Sequence, residues 1–205
     1  MPTPIIHVVD DDSSFRTAVM RLLRAAKYEV RGYASASEFL NSGLCNEPGC
    51  ILLDLRMPGV NGLDLQDSLT RMEQQWPIIF LTGQGDIPAS VSAMKAGAVD
   101  FLTKPVRRET LLSAVQNALA IDAKKRAARA ALRELQNRYE NLTPREREVL
   151  VHVVSGKLNK QIAFDLGAAE RTIKAHRASI MEKLCVQSVA ELVRVAQELG
   201  IQPIR

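Results

Sequence analysis

At 205 residues the chain is long enough for one domain or two modest ones, each with its own core. Net charge is +4 but unevenly placed: residues 1–122 hold 11 Lys and Arg against 14 Asp and Glu, and residues 123–205 hold 16 against 9. An acidic first part joined to a basic second part implies two separate roles, with nucleic acid or another anionic surface a candidate partner for the second.

Cys45, Cys50 and Cys185 form no metal-ligand spacing, and their odd number argues against a disulfide scaffold. No basic start leads into an apolar signal segment, and no apolar run approaches the length of a membrane span, so a soluble, cytoplasmic protein with no membrane partner is expected.

The first half alternates strands and helices. Ile5 to Val9 is a short apolar strand ending in Asp10, Asp11 and Asp12, and Ser13 or Ser14 is placed to cap a helix carrying Phe15, Val19, Leu22 and Leu23. Val30 to Tyr33 is a second strand, after which Ser35 opens a short helix bearing Phe39 and Leu40. Cys50 to Leu53 is the third, closed by Asp54 and the turn signal Met57-Pro58-Gly59. Leu63, Leu65, Leu69 and Met72 suggest a helix of imperfect period. Ile78 to Leu81 makes a fourth strand ending at Thr82-Gly83, Ile87 to Ala96 a helix stopped by Gly97, and Val99 to Leu102 a fifth strand before Thr103-Lys104-Pro105. Leu111, Leu112, Val115 and Leu119 give a last helix its apolar face.

Strands alternating with helices predict an open parallel sheet covered on both sides, whose functional residues gather at the carboxyl ends of the strands. Asp10, Asp11, Asp54, Thr82 and Lys104 all fall at such ends. Crowded carboxylates repel one another, and a hard divalent cation such as Mg2+ relieves them while leaving room for a phosphoryl group. Asp54 then serves as ligand, as nucleophile, or as both, with Lys104 offsetting charge on the transferring oxygens and the Thr82 hydroxyl bonding one of them. A magnesium-dependent phosphatase would use the same acids to activate water, with the helical part binding a partner. It lacks an evident acid for the leaving group, because His7 lies inside the first strand, where a structural role is the commoner one.

Residues 106–141 contain neither Gly nor Pro and are rich in helix formers after Ile121, so the last helix of the first half is expected to run on into a linker. Ile121, Ala128, Leu132, Leu135 and Tyr139 form a stripe that Lys125 interrupts, open both to self-association and to packing as a solvated spacer. Lys124, Lys125, Arg126 and Arg129 equally suit a DNA-facing or a solvated face.

Thr143, Pro144 and Glu146 read as cap, first helical position and third helical position of a new helix, with Val149, Leu150, Val153 and Val154 inward and Gly156 at its end. Asn159 is placed to cap a second helix carrying Ile162, Ala163 and Leu166, ahead of a turn at Gly167. A third runs from about Glu170 to Leu184, with Ile173, Ile180, Met181 and Leu184 for the core, and Val189 to Leu199 makes a fourth. Two helices joined by a short turn, the later bearing Arg171, Lys174, His176 and Arg177, suit a recognition helix in a major groove; a generic helical bundle would share the pattern.

Two resemblances narrow these readings. Val9-Asp10-Asp11-Asp12, Asp54-Leu55-Arg56-Met57-Pro58, Thr82-Gly83 and Lys104-Pro105 resemble, in order, the receiver domain of bacterial two-component response regulators, over about residues 4–122. The resemblance implies a doubly wound five-stranded parallel sheet of order 2-1-3-4-5, with Mg2+ held by Asp11, Asp54 and the backbone carbonyl of Arg56 and with Asp10 supporting the pocket. It implies Asp54 as acceptor of a phosphoryl group from a sensor histidine kinase, Lys104 as its ligand, a cis Lys104-Pro105 bond, and Thr82 with Phe101 as the switch pair. Val106 stands where that family commonly has Phe.

Leu142-Thr143-Pro144-Arg145-Glu146-Arg147-Glu148-Val149-Leu150, Asn159-Lys160-Gln161-Ile162-Ala163, Thr172-Ile173-Lys174-Ala175-His176-Arg177, Met181-Glu182-Lys183-Leu184 and Ala190-Glu191-Leu192-Val193 resemble the LuxR-type DNA-binding domain, over nearly all of 142–200. This implies an all-α four-helix helix-turn-helix domain in which Lys160, Thr172, Lys174, His176 and Arg177 lie near DNA. Ala169 replaces a common serine cap and Cys185 a common helix-ending glycine. The expected protein has a receiver at 1–122, a helical linker at 123–141 and a DNA-binding domain at 142–205. It resembles FixJ-like regulators, especially those switching on aromatic hydrocarbon degradation operons.

Phosphorylation of Asp54, relayed through Thr82 and Phe101 to the face around residues 87–108, would favour a homodimer on promoter half-sites. Activation is the expected output, with RNA polymerase a further candidate partner. Its own catalysis would be phosphoryl capture and slow hydrolysis. A constitutive DNA-binding protein with a structural receiver-like domain is the remaining alternative.

Overall fold

The structure, a computed structural model, describes residues 3–43, 47–72, 76–83 and 87–204, and of 87–90 the backbone alone. Cys45 lies outside the described residues. Residue contacts divide the chain into two units, Met1–Arg126 and Ala127–Arg205.

The first unit is built on a parallel sheet of β1 (Ile5–Val9), β2 (Glu29–Tyr33), β3 (Gly49–Asp54), β4 (Ile78–Thr82) and β5 (Asp100–Thr103), in the order β2-β1-β3-β4-β5. This is the doubly wound sheet expected. Alternation along the strands divides the core in two. Val9, Ile51, Leu53, Ile78 and Phe80 face one way, toward α2 (Ala36–Asn41), α3 (Gly62–Arg71) and α4 (Ile87–Lys95). Ile6, Val8, Cys50, Leu52, Ile79 and Leu81 face the other way, toward α1 (Ser13–Ala25) and α5 (Arg108–Glu140). Met72, read as part of the apolar face of α3, is instead the C-cap residue and 54% exposed, which explains the imperfect period of that segment.

Neither Ser13 nor Ser14 caps α1. The cap is Asp12, whose carboxylate accepts from the backbone N–H of Ser14 and of Phe15 and so satisfies two donors that a helix start leaves open. Ser35 caps α2 as expected. His7 is structural: its ring is buried among Tyr33, Phe39 and Trp76, and burial, with Arg31 adding to it, lowers its pKa to about 4.

At the opposite end of the sheet from the acids, Asp122 is buried on α5. It accepts from the backbone N–H of Gly49 at 2.9 Å and from Arg126 Nε at 2.7 Å, while Trp76 Nε1 and Arg126 donate to the Glu47 carbonyl. Nothing in the sequence had marked this residue.

The second unit is helical: after the end of α5 come α6 (Pro144–Val154), α7 (Asn159–Asp165), α8 (Glu170–Lys183) and α9 (Val189–Glu198), around Leu142, Val149, Leu150, Ile162, Ile173, Ile180 and Leu192. Thr143, Pro144 and Glu146 form the expected capping box with proline at the first turn. Asn159 is not the cap of α7: Leu158 holds that place, and the Gln161 side chain accepts from its N–H. Ala169 sits at the cap of α8 with no side-chain bond, and Cys185 ends that helix at φ 53°, doing with a side chain what glycine does without strain. Met181, expected in the core, is half-buried.

Glu146 ties α6 to α8. Its carboxylate accepts from Thr143 N–H at 2.8 Å, Ser179 Oγ at 2.7 Å and Lys183 Nζ at 2.7 Å. Burial alone would raise its pKa, but these donors together lower it from 4.5 to about 2.

Two outcomes follow for stability. Asp122→Ala leaves the Gly49 amide and the Arg126 guanidinium without this partner and is expected to cost about 1–3 kcal/mol. Urea unfolding followed by fluorescence of Trp76, the single tryptophan, reads that loss in the first unit. For Glu146, the unfolded chain takes up the proton first as pH falls. The stability it contributes is therefore complete above pH 4.5 and lost toward pH 2. Thermal unfolding by circular dichroism across that interval should fall less steeply in Glu146→Gln than in the parent.

Candidate functional site

Sheet register assembles the rim. Val9 pairs with Leu53 and Asp54 with Leu81, so Asp10 and Asp54 leave neighbouring strands at the same level, while Lys104 follows Thr103, the partner of Thr82. A backbone bond from Lys104 N–H to the Thr82 carbonyl at 2.6 Å extends the pairing one residue further. The Lys104-Pro105 bond is cis, as the receiver resemblance implied.

The acids meet. Carboxylate oxygens of Asp10, Asp11 and Asp54 all lie within 4.8 Å of one another, with Asp10 and Asp54 buried and Asp11 exposed. Lys104 Nζ stands 2.7 Å from Asp10 Oδ2 and 2.8 Å from Asp54 Oδ2. Burial raises the pKa of Asp10, and Lys104 pulls it only part of the way back. The Lys104 ammonium is itself penalised by burial, but its contacts with Asp10 and Asp54 outweigh that and raise its pKa. Among the described residues, three carboxylates crowd this point with the Lys104 ammonium in direct contact with two of them. An all-oxygen donor set open on its Asp11 side suits a hard divalent cation.

Local bonds aim these groups. Asp12 N–H donates to Asp10 Oδ1 at 3.0 Å and Arg56 N–H to Asp54 Oδ1 at 3.1 Å. Asp12 does not enter the cluster; it caps α1. Gly62 opens α3 directly behind the acid. A Cβ there would come within 2.4 Å of the Asp54 carbonyl oxygen and 2.9 Å of the Phe80 ring, so only glycine lets the helix start so close. The sequence pattern had not singled out Gly62. Thr82 is buried, with its hydroxyl donating to the Gly83 carbonyl at 3.2 Å, and Phe101 is half-buried against the core on the α3–α4 side. Phe15, read from the sequence as a core residue, has its ring beneath Lys104 Nζ, 4.4 Å from the centroid.

In the second unit, Ile173 and Ile180 bury one side of α8 and turn Arg171, Thr172, Lys174 and Ala175 outward. His176 and Arg177 flank this face half-buried, Arg177 donating to Asn159 Oδ1 of α7 at 2.8 Å. Lys174 pairs with Glu170 at 3.2 Å, and Lys160 is exposed on α7.

The family model described as "Response regulator receiver domain" matches residues 6–116, and that for "Bacterial regulatory proteins, luxR family" matches 140–196. The chain belongs to the LuxR-type response regulators. It is 45% identical to Nodulation protein W of Bradyrhizobium diazoefficiens over 96% of this chain and 87% of that protein. It is likewise 45% identical to the response regulator protein TodT of Pseudomonas putida, over 95% of this chain and 86% of that one. The solved structure of response regulator StyR superposes with a TM-score of 0.85 at 45% identity, covering 96% of this chain and 99% of that one.

This response regulator is therefore a DNA-binding transcriptional regulator controlled by phosphorylation at its aspartate cluster, with a sensor kinase on its input side and DNA on its output side. Its chemistry is phosphoryl capture and slow release, without turnover of a metabolite. No helix among the described residues is long and apolar enough to cross a membrane.

Lys104 occupies oxygens that a divalent cation would use. Lys104→Met is expected to tighten divalent-cation binding by about threefold to tenfold, because one competing positive charge has gone. Calorimetric titration of the response regulator and its variant with magnesium chloride checks this.

Proposed function

We propose that Asp54 is the phospho-acceptor and that its phosphorylation by a sensor histidine kinase drives the second unit onto promoter DNA as an activator, in the cytoplasm. The observation that carries this is the Asp54–Lys104 pair within the acidic triad: a buried carboxylate beside a positioned ammonium, at the carboxyl ends of parallel strands. Asp11, Asp54 and the Arg56 carbonyl would hold Mg2+, with Asp10 in support. The ion would offset charge on the acids and on the phosphoryl oxygens.

A carboxylate oxygen of Asp54 attacks phosphorus, and the leaving group departs on the opposite side. Lys104, now 2.8 Å from Oδ2, follows the negative charge onto the phosphoryl oxygens. The Thr82 hydroxyl exchanges the Gly83 carbonyl for one of them, and Phe101 turns into the space this leaves. On α4, Val91 and Met94 are 48% and 47% exposed, which supports the face around 87–108 as the homodimer surface this relay controls.

Lys160, Thr172, Lys174, His176 and Arg177 are assigned to phosphate and base contacts of a recognition helix, two copies of which a dimer sets about one DNA turn apart. The functional division is receiver 1–122, linker 123–141 and DNA-binding domain 142–205, with RNA polymerase as the partner downstream. The resemblance to FixJ-like regulators of aromatic hydrocarbon degradation operons makes such an operon the proposed target, and TodT is 45% identical to this chain. Nodulation protein W is equally identical, so base contacts rather than overall identity choose the site.

Selection from random DNA supplies the operator. A small phosphodonor with magnesium should then tighten binding by about fivefold to 150-fold, the span of ordinary coupling energies. Asp54→Asn should bind at the unphosphorylated level throughout. Tight binding unchanged by donor in both proteins would instead mark a constitutive DNA-binding protein.

A further inference from the structure

Among the described residues Lys104 is held from three sides, and only two of the holders are acids. Asp10 and Asp54 approach its Nζ to 2.7 and 2.8 Å, and the third contact is the face of the Phe15 ring, 4.4 Å from Nζ to centroid. The negative face of an aromatic ring attracts a cation without itself carrying a charge that can be neutralised.

The backbone of Phe15 belongs to the same network. Its N–H donates to Asp12 Oδ1 at 3.1 Å, and the Asp12 N–H donates to Asp10 Oδ1 at 3.0 Å. The links therefore close a circuit from Asp10 through Asp12, Phe15 and Lys104 back to Asp10. Asp12, the third acid of the run, thus starts α1 at the turn that puts an aromatic side chain under the lysine.

We propose that Phe15 is a positioning residue for phosphoryl capture, its ring keeping the Lys104 ammonium beside Asp54 when a divalent cation enters and offsets the acids. The inference rests on Asp54 being the acceptor. As the cation approaches, its charge weakens the hold of Asp10 and Asp54 on Lys104 and repels the ammonium. Attraction to the ring does not depend on the charge state of the acids, so the ammonium keeps one fixed point while its carboxylate contacts loosen. An aliphatic side chain would fill similar space, packed as Phe15 is against the α1–α5 core, but would offer the ammonium no negative face.

The test compares Phe15→Leu and Phe15→Tyr with the parent as full chains. Phosphoramidate with magnesium is the donor: Asp54 forms a bond to phosphorus, the P–N bond breaks, and the protonated amine leaves as ammonia. Leu should lower the maximal labelling rate about threefold to tenfold, the size expected of a partly desolvated cation–π contact, with half-saturating donor little changed. Tyr should stay within about twofold of the parent.

A second readout needs neither metal nor donor. The Lys104 Cε methylene protons should be shifted upfield by ring current in the parent and in Phe15→Tyr, and return to the ordinary lysine position in Phe15→Leu. Labelling of Phe15→Leu at the parent rate, or an equal loss in Tyr and Leu, would overturn the inference. Failure of the parent to label, or labelling retained in Asp54→Asn, would instead overturn the acceptor assignment on which it rests.

Discussion

Charge crowding at one end of a parallel sheet governs the first unit. Asp10, Asp11 and Asp54 bring three carboxylates within 4.8 Å of one another, two of them buried, and Lys104 brings an ammonium against Asp10 and Asp54. Such a cluster is unfavourable in isolation, because desolvation and mutual repulsion both oppose ionisation. The raised pKa of Asp10 records that opposition. The sheet enforces the crowding through its register, since a one-residue slip of β1 or β3 would turn an acid to the other face. Glycine at position 62 lets α3 start against the Asp54 carbonyl, where any side chain would clash.

The same pleat that assembles the rim also divides the packing of β5. Phe101 packs toward the α3–α4 side and its neighbour Leu102 toward the α1–α5 side, so β5 touches both cores within two residues. Thr82 lies across from Thr103 on the adjoining strand, fully within the sheet. A rotation of Thr82 toward the acids would therefore leave a gap on the half-buried Phe101 side, while the other core, closed by Leu102, Leu111 and Val115, is unaffected. The relay proposed through Thr82 and Phe101 accordingly lies on the α4 side of the sheet.

Much of this was legible in order along the chain. Strand ends, and hence Asp10, Asp54, Thr82 and Lys104, follow from short apolar runs closed by polar residues, a pattern that depends on local composition alone. Caps were less legible. Asp12 outcompetes Ser13 and Ser14 because its carboxylate reaches two backbone donors at once, and Leu158 takes the place expected of Asn159 because Gln161 reaches back to its N–H. Asp122 escaped notice for a different reason: Arg126 is a local partner one turn on along α5, but Gly49, at 73 residues' remove, is brought to it only by tertiary packing. Phe15 carried a periodic apolar signal that was true of its backbone position and silent about its ring. Along α8, Thr172 and Lys174 are exposed while His176 and Arg177 are half-buried, and the Lys174–Glu170 and Arg177–Asn159 pairs were not foreseen.

Two acids paired with lysine separate structural from functional use of the same chemistry. Glu146 is buried and receives Thr143 N–H, Ser179 Oγ and Lys183 Nζ, and its pKa falls to about 2. Every oxygen has a donor, and the group is committed to holding α6 against α8. Asp10 is more deeply buried and also has a lysine, yet its pKa rises, because desolvation by burial outweighs a lysine it shares with Asp54, and the second carboxylate beside it adds to the rise. A satisfied acid gains nothing from a new cation, whereas an under-compensated pair gains from any positive charge or electrophile that arrives. Folding alone would favour the first arrangement, so the persistence of the second at the strand ends is the signature of a site whose stabilisation is left for a ligand to complete.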